Sequence, residues 1–115
     1  MSQRNVFGES LIKCGNLNTG FYRNGYCTTG IQDTGVHTIC GKMTNKFLDY
    51  NKSQGNDLIT PKPNYNFPGL KDGDKWCICE GRWKQSHDNN IDIDVDGRAT
   101  NIKSKKVYNL IVGVN

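Results

Sequence analysis

The side chains of this 115-residue chain that could do covalent or metal chemistry are five cysteines, Cys14, Cys27, Cys40, Cys77 and Cys79, together with His37. Thiolate and imidazole are the ligands zinc prefers, so Cys27, His37, Cys40, Cys77 and Cys79 form the candidate metal set. The spacing matches no standard zinc or redox pattern. Cys14, Cys27 and Cys40 recur at equal intervals, but their neighbours do not repeat, and the interval is read as coincidence. On one strand face Cys77 and Cys79 would have Cα atoms about 6.5–7 Å apart, whereas two thiolates on one zinc lie within about 4 Å. His37 and Cys40 fall on opposite faces of a regular strand and meet at one ion only through a bulge. Buried cysteines packing as small apolar groups are the stronger expectation; no cofactor is predicted, and zinc is the metal these ligands would take.

A reactive thiol is the other chemistry. Cys40 precedes a plausible helix cap at Thr44 by four residues and shares its segment with His37, so a helix dipole and an imidazole could both assist it. Cys40 and His37 are therefore the candidate catalytic pair, with Cys77 or Cys79 in support. Nothing in the sequence supplies a third, orienting group. Asp92, Asp94, Asp96 and Gly97 imitate the opening of a calcium loop, but Lys103 stands where a bidentate glutamate is needed. Ile91, Ile93 and Val95 between and beside the acids carry the period of a half-buried strand instead.

Composition sets the frame. The mass is 12.9 kDa, with 35% hydrophobic and 23% charged residues, which suits a single domain over residues 1–115. The opening residues lack an apolar leader and no run could span a bilayer. A cytoplasmic, soluble product with no membrane partner is expected, and in that reducing setting five free thiols. The net charge of +4 is mild, and its only concentration is Lys103, Lys105 and Lys106, so nucleic acid is not the expected partner.

Thirteen glycines against a single alanine, Ala99, favour turns over helices. Residues 5–35 read as an irregular β-rich lobe, with Asn24-Gly25 as a hairpin turn between residues 21–23 and 26–28. Val36–Cys40 reads as a short strand. Thr44 as N-cap, Met43 and Leu48 as a hydrophobic staple and Gly55 as terminator place the main helix at 45–54. Residues 56–73 hold all three prolines and form a long loop, the first place to seek a binding surface. Strands are expected at 74–83, at 91–96 and at 107–114, with a polar break at 86–90.

Several of these segments carry a resemblance. Asn5-Val6-Phe7-Gly8, Thr19-Gly20-Phe21-Tyr22-Arg23, His37-Thr38-Ile39-Cys40, Gly55-Asn56-Asp57-Leu58 and the stretch from Phe67 to Trp83 resemble the family catalogued as domain of unknown function 2237. The resemblance implies a small cytosolic α+β domain and brings no activity, substrate or cofactor. Beyond Trp83 the chain departs from the family, whose members continue with an alanine-rich helix and an Ala-Thr-His-Glu segment. Here Ser86–Asn90 stands where a helix would run and Asn101 replaces the histidine. Abundant Asn, Lys and Ile suggest an AT-rich genome, and a large DNA virus as source would put the chain in a virion or viral factory.

The reading is an α+β domain with a small, mainly antiparallel sheet, one main helix and long ordered loops. It acts as a noncatalytic binding module for a small molecule or protein. Arg23, Asn56, Asp57, Asp74, Trp76 and Arg82 are the candidate binding residues, centred on the 56–73 loop with His37; Asp33 is a further polar group in reach. A thiol- or metal-dependent enzyme is the rival from another class, and weak nucleic-acid binding through Lys103–Lys106 the third.

Overall fold

The structure, a computed structural model, describes residues 3–111. Two antiparallel strands, β1 (His37–Lys42) and β2 (Lys75–Cys79), form the sheet. Three helices accompany it: α1 (Asn45–Ser53), α2 (Glu80–Asp88) and α3 (Lys105–Ile111). The fold is α+β, with helix supplied by three elements rather than one. No helix among the described residues is long and apolar enough to cross a membrane.

The strand register pairs Cys40 with Cys77, Ile39 with Ile78 and His37 with Cys79, with an irregularity between His37 and Ile39. Such a bulge re-aims the side chain beside it, and the residue re-aimed here is His37. The segment expected as a strand at 91–96 keeps its alternation, Ile93 buried and Asp92 and Asp94 exposed. It meets β1 only through a single bridge, Gly41 to Val95, flanked by Lys42 N to Asp94 O and Asp96 N to Cys40 O.

Helix α1 starts where its cap requires. Thr44 has extended backbone and its hydroxyl accepts from Phe47 N at 3.1 Å, and Gly55 at φ +88° ends the last turn. Phe47 and Leu48 go into a core with Ile39, Met43, Ile78 and Trp83, while Lys46, Asp49 and Lys52 stay exposed. Asn51, fully buried, donates to Ser86 Oγ and so locks α1 to α2.

Three expected strands are corrected. Residues 21–28 make no hairpin: Gly25 N donates to Thr19 O and Cys14 N to Gly25 O, so the Asn24-Gly25 turn closes a loop instead of joining strands. The strand expected to run to Trp83 stops at Cys79 and the chain turns into α2, which occupies the expected polar break. Lys84 pairs with Asp88 one turn on at 2.8 Å, and Ser86 Oγ donates back to Arg82 O; with Trp83 seated in the core, these hold a helix that lacks alanine. Residues 107–111 are helical in α3, and 112–114 lie outside the described residues.

The free-thiol expectation is overturned as well. Cys14 is bonded to Cys40 and Cys27 to Cys77, with Cα atoms 5.6 and 5.4 Å apart. The odd cysteine count is met by leaving Cys79 as the free thiol. All four bonded cysteines are buried and, with Ala99, form a cluster separate from the aromatic and aliphatic core.

Candidate functional site

A cleft of about 490 Å³ opens beside β2, between the loop of residues 20–23 and the proline loop. Its aromatic lining is Phe21, Tyr65, Phe67 and Trp76, its cations are Arg23 and Lys62, and His37 and Cys79 stand at its end. Trp76 is buried and meets Phe67 edge to face at 5.4 Å. Its open face carries the Arg23 guanidinium, 5.1 Å from the ring centroid. The guanidinium makes no hydrogen bond or ion pair to any described residue, so its in-plane N–H groups are free for a ligand while its face rests on the indole.

The backbone is bent to deliver these groups. Arg23 and Val36 both have positive φ, +56° and +50°, a region that costs an L-residue roughly 1–2 kcal/mol. Val36 is β-branched, so its φ is an outlier of the kind found where surroundings over-determine the chain. It immediately precedes His37 and accepts from Glu80 N through its carbonyl, tying the start of β1 to the first residue of α2.

His37 is oriented by Asp33. The buried carboxylate accepts from His37 Nδ1 at 2.7 Å, from His37 N at 2.9 Å and from the Thr29 hydroxyl at 3.0 Å. Burial pushes the Asp33 carboxyl up, but these hydrogen bonds from His37 and Thr29 outweigh it and hold the group below its ordinary 3.8. An ionised carboxylate only accepts, so His37 must carry its proton on Nδ1, and Nε2 makes no hydrogen bond to a described residue. Phe21 lies nearly parallel to the imidazole at 6.4 Å. Cys79, directly opposite His37 in the ladder, is half-buried and precedes α2 without capping it.

The proline loop is self-braced. Asp57 accepts from Ile59 N, Thr60 N and the Thr60 hydroxyl, and these contacts, the hydroxyl first, lower its carboxyl to about 2. It is therefore a carboxylate, and the cleft's lining carries this one anion beside the cations Arg23 and Lys62.

Of the candidate binding residues, Arg23, Asn56, Asp57 and Trp76 line this cleft with His37. Asp74 does not: its Oδ2 accepts from Lys71 N and its carbonyl from Met43 N, closing the turn before β2. Arg82 donates to Gln54 O at the end of α1. Cys40, the candidate nucleophile, is consumed by its disulfide. Among the candidate metal ligands Cys27, Cys40 and Cys77 converge, whereas His37 and Cys79 face the cleft; Cys14 joins the convergent group without having been in the set. No spacing in the sequence marks it out. Asp33 four residues before His37 was the signal for the orienting group. Asp92 Oδ1 bonds His87 Nδ1 at 2.6 Å, and Asp96 is taken up by Arg98 N and Lys75, which leaves the aspartate run no shared ion position. Asn101 is buried, donating to Gln3 Oε1 and Cys27 O and accepting from Lys103 N. It ties three segments together outside the cleft, so the missing histidine removes nothing from the cleft's lining.

The family model described as "Uncharacterized protein conserved in bacteria (DUF2237)" matches residues 4–112, nearly the whole chain, and the chain belongs to that family. The match runs through the C-terminal part whose sequence had looked divergent. No curated protein matches the chain.

Proposed function

We propose that this member of the family is a noncatalytic binding module for a small planar anion, of the aromatic carboxylate class. The observation that carries the reading is the unpaired Arg23 guanidinium stacked on Trp76 in a cleft whose second cation is Lys62. A carboxylate meets the fork of the guanidinium in its plane, and the ring of the ligand continues the aromatic wall of Phe21, Tyr65 and Phe67. Binding is read by thermal shift and tryptophan fluorescence with benzoate- and indole-type carboxylates against their amides. The acids should stabilise the protein and the amides should not, and Arg23→Ala should weaken binding at least about tenfold. Equal response to acids and amides, or an unchanged Arg23→Ala, sinks the reading.

A second reading, thiol chemistry on the bound molecule, is favoured by the pairing of Cys79 with His37 across the ladder and by Asp33 on His37 Nδ1. Cys79 would be the nucleophile, His37 Nε2 the proton acceptor and Asp33 the group that fixes the tautomer. Iodoacetamide should label Cys79 in the folded protein at a rate that falls with His37→Gln; labelling only after unfolding would dismiss it. Lys103, Lys105 and Lys106 are exposed, but nothing further about them favours a polynucleotide. The proposed setting is the cytoplasm, where the reducing pool would open the two disulfides, or a virion or viral factory if the source is viral.

A further inference from the structure

The four bonded cysteines have a geometry that their disulfides do not require. The Sγ atoms of Cys14, Cys27 and Cys40 all lie within 4.8 Å of one another, although Cys27 is bonded to neither of the other two. Cys77, bonded to Cys27, also stands directly across the ladder from Cys40. Two independent staples could sit anywhere in the fold; here they share one dry chamber, with each cysteine at most 1% exposed and no histidine or carboxylate among them. A tetrahedral zinc with sulfurs at about 2.3 Å spaces them about 3.8 Å apart; Cys14, Cys27 and Cys40 are gathered near that scale, and the Cys77 sulfur, held beside Cys27 by their bond, must swing inward to complete the four.

We propose that the reduced protein binds one zinc-class metal ion through Cys14, Cys27, Cys40 and Cys77, so that the disulfide pair and a four-thiolate metal site are alternative states of one cluster. Each disulfide takes two electrons and two protons, both from a dithiol that becomes a disulfide, or the electrons from a phosphine and the protons from the water that turns it into a phosphine oxide, giving four thiols in all. Metal binding then displaces up to four protons, one from each sulfur as it becomes a thiolate ligand. An all-sulfur tetrahedral set selects zinc, and cobalt as its spectroscopic substitute, over magnesium or calcium.

Three of the four positions are held by bonds that reduction leaves untouched. Cys14 N donates to Gly25 O, Cys40 N to the Thr100 hydroxyl and Cys77 N to the Thr19 hydroxyl. In a reduced chain that keeps its fold, these bonds hold the backbone at three of the four cysteines in place for a metal to close the set. The cluster meets the cleft at Cys77, which lines both, while the cleft's free thiol, Cys79, takes no part; the metal site calls for no anion in the cleft and is tested without one.

The test uses the full chain, reduced with a phosphine without oxygen, freed of reductant and titrated with zinc or cobalt. One metal per reduced chain and none per oxidised chain is expected, with thiolate-to-cobalt charge-transfer absorption. Ser at Cys14, Cys27, Cys40 or Cys77 should weaken binding by about 100-fold or more, whereas Cys79→Ser should hold the metal as the parent does. If the reduced chain unfolds, zinc should restore its circular dichroism. A reduced chain that binds no metal, folded or not, overturns the proposal, as does binding that depends on Cys79 and His37.

Discussion

Opening the two disulfides in the presence of a metal chelator should cost this domain much of its stability. Cys14–Cys40 has a sequence separation of 26 and Cys27–Cys77 one of 50. Closing loops of these lengths in the unfolded chain corresponds to about 3.5 and about 4 kcal/mol. The loops overlap between Cys27 and Cys40, so the second bond constrains a chain the first has already shortened, and the joint loss falls below the simple sum. A domain of this length holds a total of order 10 kcal/mol, so a joint loss of roughly 5–7 kcal/mol should leave the reduced, metal-free form with half of its stability or less. The assay is urea denaturation followed by tryptophan fluorescence, oxidised against reduced and chelated. Alkylation under denaturing conditions should modify one cysteine before reduction and five after, since only Cys79 is free. Identical urea midpoints, or five thiols modified without reductant, would refute the reasoning.

Two further outcomes follow from buried polar groups. Asp33→Asn replaces one acceptor oxygen by an amide, which faces either the two donors on Oδ2, Thr29 Oγ1 and His37 N, or His37 Nδ1 on Oδ1, and should cost about 1.5–3 kcal/mol at neutral pH. Because the folded carboxyl is held below 3.8, its contribution is whole above 3.8 and lost as pH falls through the lowered value; the gap between parent and variant in urea midpoint should narrow in acid, and a gap that widens would reverse the sign of the argument. Asn101→Ala removes the cap on Lys103 N and the donor to Cys27 O and should cost about 2–3 kcal/mol in the same assay. A loss under about 0.5 kcal/mol would make its buried ties incidental.

The sequence carried the parts of the fold that rest on local chemistry. Thr44, Leu48 and Gly55 declared α1 because capping, stapling and left-handed termination are decided within a few residues. Ile91, Ile93 and Val95 declared an extended segment for the same reason. The extended run from Trp76 to Cys79 was also legible, but its alternation and its continuation to Trp83 were not: Trp76, Cys77 and Ile78 are all buried, Cys77 is in the sulfur cluster while Cys79 is free, and beyond it the contact of Ser86 with Asn51 belongs to a helix. The short apolar run at the C-terminus is ambiguous by nature. The disulfides depend on where the strand ladder brings residues 26 and 50 apart, and no spacing rule contains that.

The cleft and the sulfur cluster adjoin along one short stretch of chain. In β2, Trp76, Cys77, Ile78 and Cys79 all line the cleft, while Cys77 also belongs to the cluster and Trp76 and Ile78 to the core, so four successive residues link three environments. Opposite them, Thr19 holds Cys77 N through its hydroxyl and accepts from Gly25 N through its carbonyl. The residues between Thr19 and Gly25 include Phe21 and Arg23, whose positive φ is sustained within that closed loop. Cys27 leaves the loop two residues later and anchors it to β2. The guanidinium over Trp76 is thus positioned by the same covalent frame that gathers the sulfurs, which is why a cleft lined mostly by exposed or half-buried side chains can hold an unpaired cation at a fixed place.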